Sequence, residues 1–387
     1  MKFSLIFGYK NREPERIKRC LESLDRQTNR DFEVVFVDYG SDQEFAISVR
    51  KIVNSFDFTQ YYYNDTRGRN WNRSHALNTG IKRASGEFII TTDVDIIYPA
   101  DFIEVCSAKA NHKKLMHAKA YYLPESFTDY ENIASLEPSK IPDTKPGQET
   151  ALGLCQMVSA EKFKAINGFD EYFRIWGVED IDVNRRLKML GMEMEWIELD
   201  EIPLIHQWHP TSFIADDIAK APSDWFQVMW EYHETRTEPI NTAGDWGRIW
   251  ESHERPAYSL VESSKLNFSD KFVFKQPVEN YYNEFIGRFE NLKLGEYLLV
   301  QETIDESSFG EVSKVGKMVD RINCWLKSAS ISYRFTQYQS LVQLPVSFYN
   351  VRDFLHYFIL NHEDHLLDYY FQFSGGKILG VFMKKQK

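Results

Sequence analysis

A chain of 387 residues, 43% hydrophobic and 15% aromatic, is long enough for two domains and too apolar for extended disorder. A formal net charge of −11 excludes a partner that needs a basic field, so no nucleic acid is expected. The four cysteines (Cys20, Cys106, Cys155, Cys324) lack C-x-x-C spacing and read as reduced core thiols of a cytosolic protein. Met1 to Phe7 is too short an apolar run for a signal peptide and reads as a first strand. No apolar run has the length of a transmembrane segment.

Phe3 to Phe7 is the first predicted strand, and Gly8 to Arg12 the loop that leaves it. Pro14 opens a helix with Ile17, Cys20, Leu21 and Leu24 on one face. Phe32 to Val37 is a second strand, ending at Asp38-Tyr39-Gly40-Ser41. A helix carrying Phe45, Val49, Ile52, Val53 and Phe56 follows, then a strand from Phe58 to Tyr63. The polar loop Asn64 to Asn72 leads into a helix with Ala76, Leu77, Gly80, Ile81 and Ala84. Glu87-Phe88-Ile89-Ile90 then reads as a buried strand running into Thr91-Thr92-Asp93-Val94-Asp95. Strands and helices alternating across short loops predict a mostly parallel α/β sheet.

From Asp101 the spacing predicts a helix to about His112, then a strand from Leu115 to Tyr121. Pro124 to Gln148 is polar and proline-bearing and is expected to be a mobile loop over the site. Gly153 to Val158 is apolar again, Glu179 to Leu190 forms a helix closed by Gly191, and Glu195 to Leu199 is a late strand. Trp225, Phe226, Met229 and Trp230 fall at helical spacing and read as a packing face; a membrane or glycan surface is the alternative. Asn241 to Ser264 is expected to be a linker. Leu298 to Gln301 reads as a strand, Val312 to Lys327 as a helix, and Phe371 to Leu379 as a hairpin. The expected organisation is a catalytic domain over residues 1–215, a helical linker over 216–264 and an α+β domain over 265–387.

Asp93 and Asp95, two residues apart at the end of a strand, sit where an α/β sheet opens its ligand crevice. Such a pair suits a hard divalent cation that takes its other ligands from phosphate. A D-x-D also arises by chance about once in a chain of this length, so neighbouring signals must decide. Lys10, Arg12 and Arg73 supply cations for a diphosphate, although each alone reads as a surface charge. Asp38 suits either a hydrogen bond from a nucleobase or a turn cap. Trp176 beside Glu179 and Asp180 is the composition expected where a sugar stacks and a hydroxyl loses its proton. The two acids equally suit a helix N-terminus. His206 and His209 offer imidazoles for a manganese-like metal, or are ordinary polar residues after a strand.

As a group these residues resemble family-2-type glycosyltransferases of the GT-A fold, leaning toward the galactosyl/N-acetylgalactosaminyl transferase group. Gly8-Tyr9-Lys10-Asn11-Arg12 is similar to that family's P-F/Y-R/K-N-R loop, and Phe36 to Ser41 to its v-v-D-D-G-S. Asn72 to Gly80 resembles N-R-A-x-x-x-N-x-G, and Asp93-Val94-Asp95 its D-x-D. Asn167-Gly168-Phe169-Asp170-Glu171 with Trp176 to Asp180 resembles N-G-F-D/N-E…W-G-x-E-D. His206-x-x-His209 stands where the family places a late metal histidine. The resemblance covers about Met1 to Pro210. Tyr39 replaces the family's second acid and Gly8 its proline.

The resemblance implies a Rossmann-like, mostly parallel sheet and a metal-dependent inverting transferase of cell-surface glycan synthesis. Galactose or N-acetylgalactosamine would move from a UDP-sugar to a glycan hydroxyl, the acceptor being lipid-linked or free. Donor contacts fall on Gly8, Tyr9, Lys10, Arg12, Asp38, Arg73, Asp93 and Val94, and acceptor contacts on Trp176 and Gly177. Mn2+ or Mg2+ would sit on Asp93, Asp95, His206 and His209, with His209 preferred of the two histidines. Asp180 is the expected base and Glu179 its neighbour. The implied place is the cytoplasm or the inner face of the membrane. Competing readings are a nucleotidyltransferase, a transferase using another nucleotide-sugar, and a glycan-binding protein that has lost turnover.

Overall fold

Strand β1 (Phe3–Tyr9) is buried at six of its seven positions, because its alternate side chains feed two different cores. In this computed structural model, which describes residues 2–149, 151–209, 221–266, 271–274, 278–303, 322 and 348–385, Phe3, Leu5, Phe7 and Tyr9 face one side. There they meet Ile17, Cys20, Leu21 and Leu24 of α1 (Pro14–Asp25), the apolar stripe expected of that helix. Ile6 faces the other side, with Val35 and Val37 of β2 (Phe32–Tyr39) and Ala76, Leu77 and Ile81 of α3 (Arg73–Ile81). Helix α2 (Gln43–Val53) adds Val49 and Val53 to the first core, and β3 (Thr59–Asn64) edges the sheet.

The chain divides into two compact units, Met1–Glu254 and Arg255–Lys387. In the first, β4 (Phe88–Thr92) and β5 (Ile96–Ile97) are followed by α4 (Phe102–Lys109), β6 (Lys114–Ala118) and β7 (Ala120–Tyr122). Then come β8 (Lys145–Pro146), β9 (Cys155–Ser159), α5 (Ala160–Ala165), α6 (Glu179–Met189), β10 (Glu193–Ile197), β11 (Leu204–His206) and α7 (Trp225–Thr235). The seven-stranded sheet runs β10-β6-β9-β4-β1-β2-β3. Strands β3, β2, β1 and β4 are mutually parallel, and β9 is antiparallel to β4 and β6. The mostly parallel α/β reading therefore holds, with one reversed strand. Four parallel strands end together at Tyr9, Tyr39, Asn64 and Thr92, and β9 starts opposite Thr92.

A second sheet, β5-β11-β7-β8, hangs beyond that edge. The expected single strand from Leu115 to Tyr121 is divided at Lys119, its two parts serving different sheets. Residues 124–148 also differ from the expected mobile loop. Ile133 and Ile141 join Leu123, Ile97 and Ile205 in a small core flanked by Phe127, Tyr130 and Trp208. A stretch with that much apolar burial is packed, despite its polar composition. The expected linker is divided as well: Trp246 is buried against α3, and the Asn64 amide donates to the Arg248 carbonyl at 3.0 Å.

The second unit begins with α8 (Pro256–Glu262), β12 (Lys271–Phe272) and α9 (Val278–Asn291), followed by β13 (Tyr297–Thr303) and α10 (Phe348–His362). It ends in the hairpin β14 (Leu366–Ser374) and β15 (Lys377–Lys384), turned by Gly375-Gly376, both at positive φ. Its sheet runs β12-β13-β15-β14, an α+β arrangement. The helix expected over Val312 to Lys327 and Cys324 lie outside the described residues. Cys20, Cys106 and Cys155 are buried free thiols. Among the described residues no helix is long and apolar enough to cross a membrane.

Candidate active site

The short antiparallel pairing of β5 with β11 sets Ile96 opposite His206, and the Gln207 N–H donates to the Asp95 carbonyl at 3.0 Å. Two chain segments remote in sequence thus deliver three donors to one point. His206 Nε2 lies 3.5 Å from Asp95 Oδ1, and His209 Nε2 lies 3.6 Å from Asp95 Oδ2. The three ligand atoms fall within 4.8 Å of one another.

Asp95 is buried, yet its Oδ1 makes no hydrogen bond. A buried carboxylate oxygen left without a donor is costly, and a cation beside it removes that cost. One carboxylate and two imidazoles, spaced this way, form a donor set that fits a divalent metal. Arg16, from α1, brings a guanidinium nitrogen within 4.0 Å of Asp95 Oδ2 and is itself buried. The Tyr122 ring lies against His206 at 4.8 Å, its hydroxyl pushed up to about 12, first by burial and then by Asp93 and Asp95. Neither residue stood out in the sequence. A buried arginine on an amphipathic helix carries no local signal that separates it from a surface charge.

Asp93, two residues before Asp95, is not one of these three ligands. Arg73, the first residue of α3, reaches it with Nη2 at 3.4 Å and reaches Asp180 Oδ1 with Nη1 at 2.8 Å. The same Nη2 donates to the Gly153 carbonyl at 2.7 Å. Burial disfavours the Arg73 charge, but Asp180, Asp93 and Glu179 outweigh it and hold the guanidinium protonated. Asp93 is itself raised by desolvation, with Arg73 opposing and Asp95 adding to the rise.

Glu179 and Asp180 open α6, where the helix dipole favours acids. Glu179 is buried and pushed up to about 7, mainly by desolvation and then by Asp180, against Arg73. Gly153 matters here through its missing side chain. A Cβ at this position would stand 2.0 Å from Asp180 Oδ2, so the carboxylate occupies the space that glycine leaves. In the sequence Gly153 marks only the start of an apolar run.

The remaining residues singled out from the sequence fall into two groups. Gly8 and Tyr9 are the last residues of β1 and not loop, and the Tyr9 hydroxyl donates to the Arg12 carbonyl at 2.8 Å. Lys10 donates to the Arg69 carbonyl at 3.2 Å, and Val94 is buried between the two aspartates. Asp38 is fully buried, accepting from the Ser41 N–H at 2.9 Å and the Tyr61 hydroxyl at 2.7 Å. Desolvation raises its carboxyl, and these hydrogen bonds oppose the rise. Tyr39 is buried with its hydroxyl 3.2 Å from His75 Nδ1. Trp176 and Gly177 lie just before α6, with the Trp176 side chain exposed.

The asparagines of the 72–80 segment work between elements. Asn72 caps α3 by accepting the His75 N–H at 2.9 Å and donates to the Glu171 carbonyl at 2.7 Å. Asn78 donates to the Phe169 carbonyl and accepts the Phe169 N–H, both at 2.8 Å. They thus fix the turn at residues 167–171 against the helix that carries Arg73.

No curated protein sequence matches the chain. Among solved structures, TarS 1-349 of S. aureus is 20% identical with a TM-score of 0.41, covering 56% of this chain and 65% of that one. The mannosyltransferase PcManGT from Pyrobaculum calidifontis, in complex with GDP-Man and Mn2+, is 21% identical with a TM-score of 0.38, covering 54% and 56%. GalNAc-T7 with UDP, GalNAc and Mn2+ is 14% identical with a TM-score of 0.43, covering 60% and 50%. The chain thus spans between half and about two thirds of the length of these structures. The superpositions are partial, and family placement rests on sequence-family matches. Residues 4–152 match glycosyl transferase family 2, and residues 140–208 match the N-terminal domain of galactosyltransferase. Residues 4–208 are thus covered by two glycosyltransferase matches, family 2 over residues 4–152 and galactosyltransferase type over residues 140–208, and the chain carries a glycosyltransferase domain.

Proposed function

We propose that the protein transfers a hexose, galactose or N-acetylgalactosamine, from a UDP-sugar to a glycan hydroxyl with inversion at the anomeric carbon. The observation that carries this reading is Arg73. It bridges Asp93, at the end of β4 beside the Asp95–His206–His209 cluster, to Asp180 at the start of α6. A donor set of metal type and an acid pair of general-base type are thereby held on one edge of the sheet.

A divalent ion, Mn2+ in this reading, would be held by Asp95, His206 and His209 and would supply positive charge for the departing diphosphate. Lys10 and Arg12 leave the neighbouring strand end and suit the donor phosphates. Asp180 accepts the proton of the attacking acceptor hydroxyl through its carboxylate. Glu179, raised by burial to about 7, keeps a share of its proton near neutral pH and in that form offers a hydroxyl hydrogen to a sugar oxygen. Arg73 keeps the carboxylates at their separation.

Asp180→Asn tests the assignment with UDP-galactose, UDP-N-acetylgalactosamine and GDP-mannose, each with and without Mn2+. UDP affinity is expected to stay within a fewfold, while transfer falls by about 10²–10⁴, the scale of a lost general base. Undiminished transfer in the variant removes Asp180 from the reaction. Absence of Mn2+-dependent binding of any of the three donors removes the transferase reading.

A further inference from the structure

Among the described residues three Trp and Phe side chains stand exposed, and all three lie in one patch. Trp176 is 48% exposed, Phe226 45% and Trp230 39%. The Trp176 and Phe226 ring centres are 5.6 Å apart, and Phe226 stacks on Trp230 at 6.3 Å. Large apolar groups gathered at a surface mark a place of contact.

The patch is built by local structure. Helix α7 buries Trp225 and Met229, and the Trp225 indole donates to the Arg174 carbonyl at 3.0 Å. With that face anchored, Phe226 and Trp230, one helical turn apart, turn outward. Gly177 has φ 97°, and a Cβ there would meet the Phe226 ring at 3.0 Å, so the ring rests against bare backbone. Its neighbours Ile175 and Val178 are held at φ 67° and 75°, a conformation that β-branched residues avoid. The strained turn sets Trp176 beside Phe226 and runs directly into Glu179 and Asp180.

Charge selects the occupant. The exposed charged side chains of α7 and its cap, Asp224, Glu231 and Glu234, are all acidic. An aromatic face that docks on anionic lipid is rimmed by lysine and arginine instead. Aromatic faces with nearby carboxylates suit pyranose rings, whose C–H faces stack and whose hydroxyls donate. We propose that Phe226 and Trp230 extend the Trp176 position into a platform for a neutral oligosaccharide acceptor. It takes sugar rings beyond the one whose hydroxyl reacts at Asp180. This inference rests on the transferase reading but uses α7, which lies outside the family-matched residues.

The test uses the full chain on immobilised neutral oligosaccharides, among them cellohexaose and chitohexaose, with phosphatidylglycerol vesicles alongside. At least one neutral glycan is expected to bind. Trp230→Ala and Phe226→Ala should each weaken it roughly tenfold, the effect of one lost aromatic contact. Trp230→Tyr should recover most of the affinity. Both side chains are exposed, so the substitutions spare the fold. Failure of every neutral glycan to bind, equal binding by the alanine variants, or binding to the vesicles instead overturns the platform. UDP affinity with Mn2+, measured on the same samples, separates the two claims: its loss in the unsubstituted protein overturns the transferase reading and not the platform.

Discussion

Arg73 and Asp180 are joined by a hydrogen-bonded ion pair of 2.8 Å, although the arginine begins one helix and the aspartate another. The pair orients the carboxylate proposed as base, and the guanidinium also sets charge among the acids around it. Orientation matters more here, because Glu179, Asp180 and Asp93 crowd one guanidinium and repel each other without it. Arg73→Ala is therefore expected to lower transfer by at least about 10²-fold. Arg73→Lys supplies the charge without the fork and should recover only part of the rate. Full activity in Arg73→Ala would show the pair to be incidental.

His206 and His209 approach opposite oxygens of Asp95 at nearly equal distance. That equality gives no ground for preferring one, so each histidine, when replaced by alanine, should weaken Mn2+-dependent UDP binding by about 10-fold or more. Asp95→Ala should abolish it, since Asp95 contacts both imidazoles. Calorimetry with UDP, with and without Mn2+, reads all three. An unchanged affinity in Asp95→Ala would dissolve the cluster as a metal site.

The parallel run of β1 to β4 and their common edge were legible in the sequence, because apolar strands and helices alternate there across short loops. Asp38, Asp93 and Asp95 mark that edge. The meeting of Asp95 with His206 was expected only through the family resemblance and the chemistry of imidazole, not from any local period. It depends on strands of two and three residues, too short to carry a period. Arg16 at the metal-type cluster and Gly153 under Asp180 were missed for another reason: each acts through a partner brought from elsewhere in the chain. The packing of residues 124–148 was hidden by polar composition, since Ile133, Leu136 and Ile141 are scattered through a polar, proline-bearing stretch with no helix or strand period.

Burial raises Glu179 to about 7, above the ordinary 4.5, so the folded protein holds its proton where the unfolded chain has released it. Its contribution is fully present below about pH 4.5 and is lost as pH rises toward 7, where the buried carboxylate must ionise. At most about 3 kcal/mol is at stake. Glu179→Gln should remove this dependence and flatten the stability curve between about pH 5 and 8. Denaturant midpoints across that range decide it. The same downward slope in the variant would assign it to another group.

In the second unit, Arg255 and Asp368 are both fully buried, with Arg255 Nε donating to Asp368 Oδ1 at 2.8 Å. Asp368 also accepts the Ala257 N–H at 3.0 Å and the Tyr369 N–H at 2.8 Å, and Arg255 donates to the Tyr369 carbonyl at 3.1 Å. The two partners are therefore not equivalent. Asp368→Ala takes the carboxylate away from a buried guanidinium, which cannot shed its charge, and from two backbone N–H groups. Arg255→Met leaves a carboxylate that keeps two N–H donors and can take up a proton. Removing one member of a buried pair costs about 3–5 kcal/mol, and Asp368→Ala should sit at the upper end of that range with Arg255→Met below it. Amide exchange in β13, β14 and β15 of the full chain measures both. Protection there unchanged by Asp368→Ala, or a greater loss in Arg255→Met, would mean that the ion pair does not hold α8 to the hairpin.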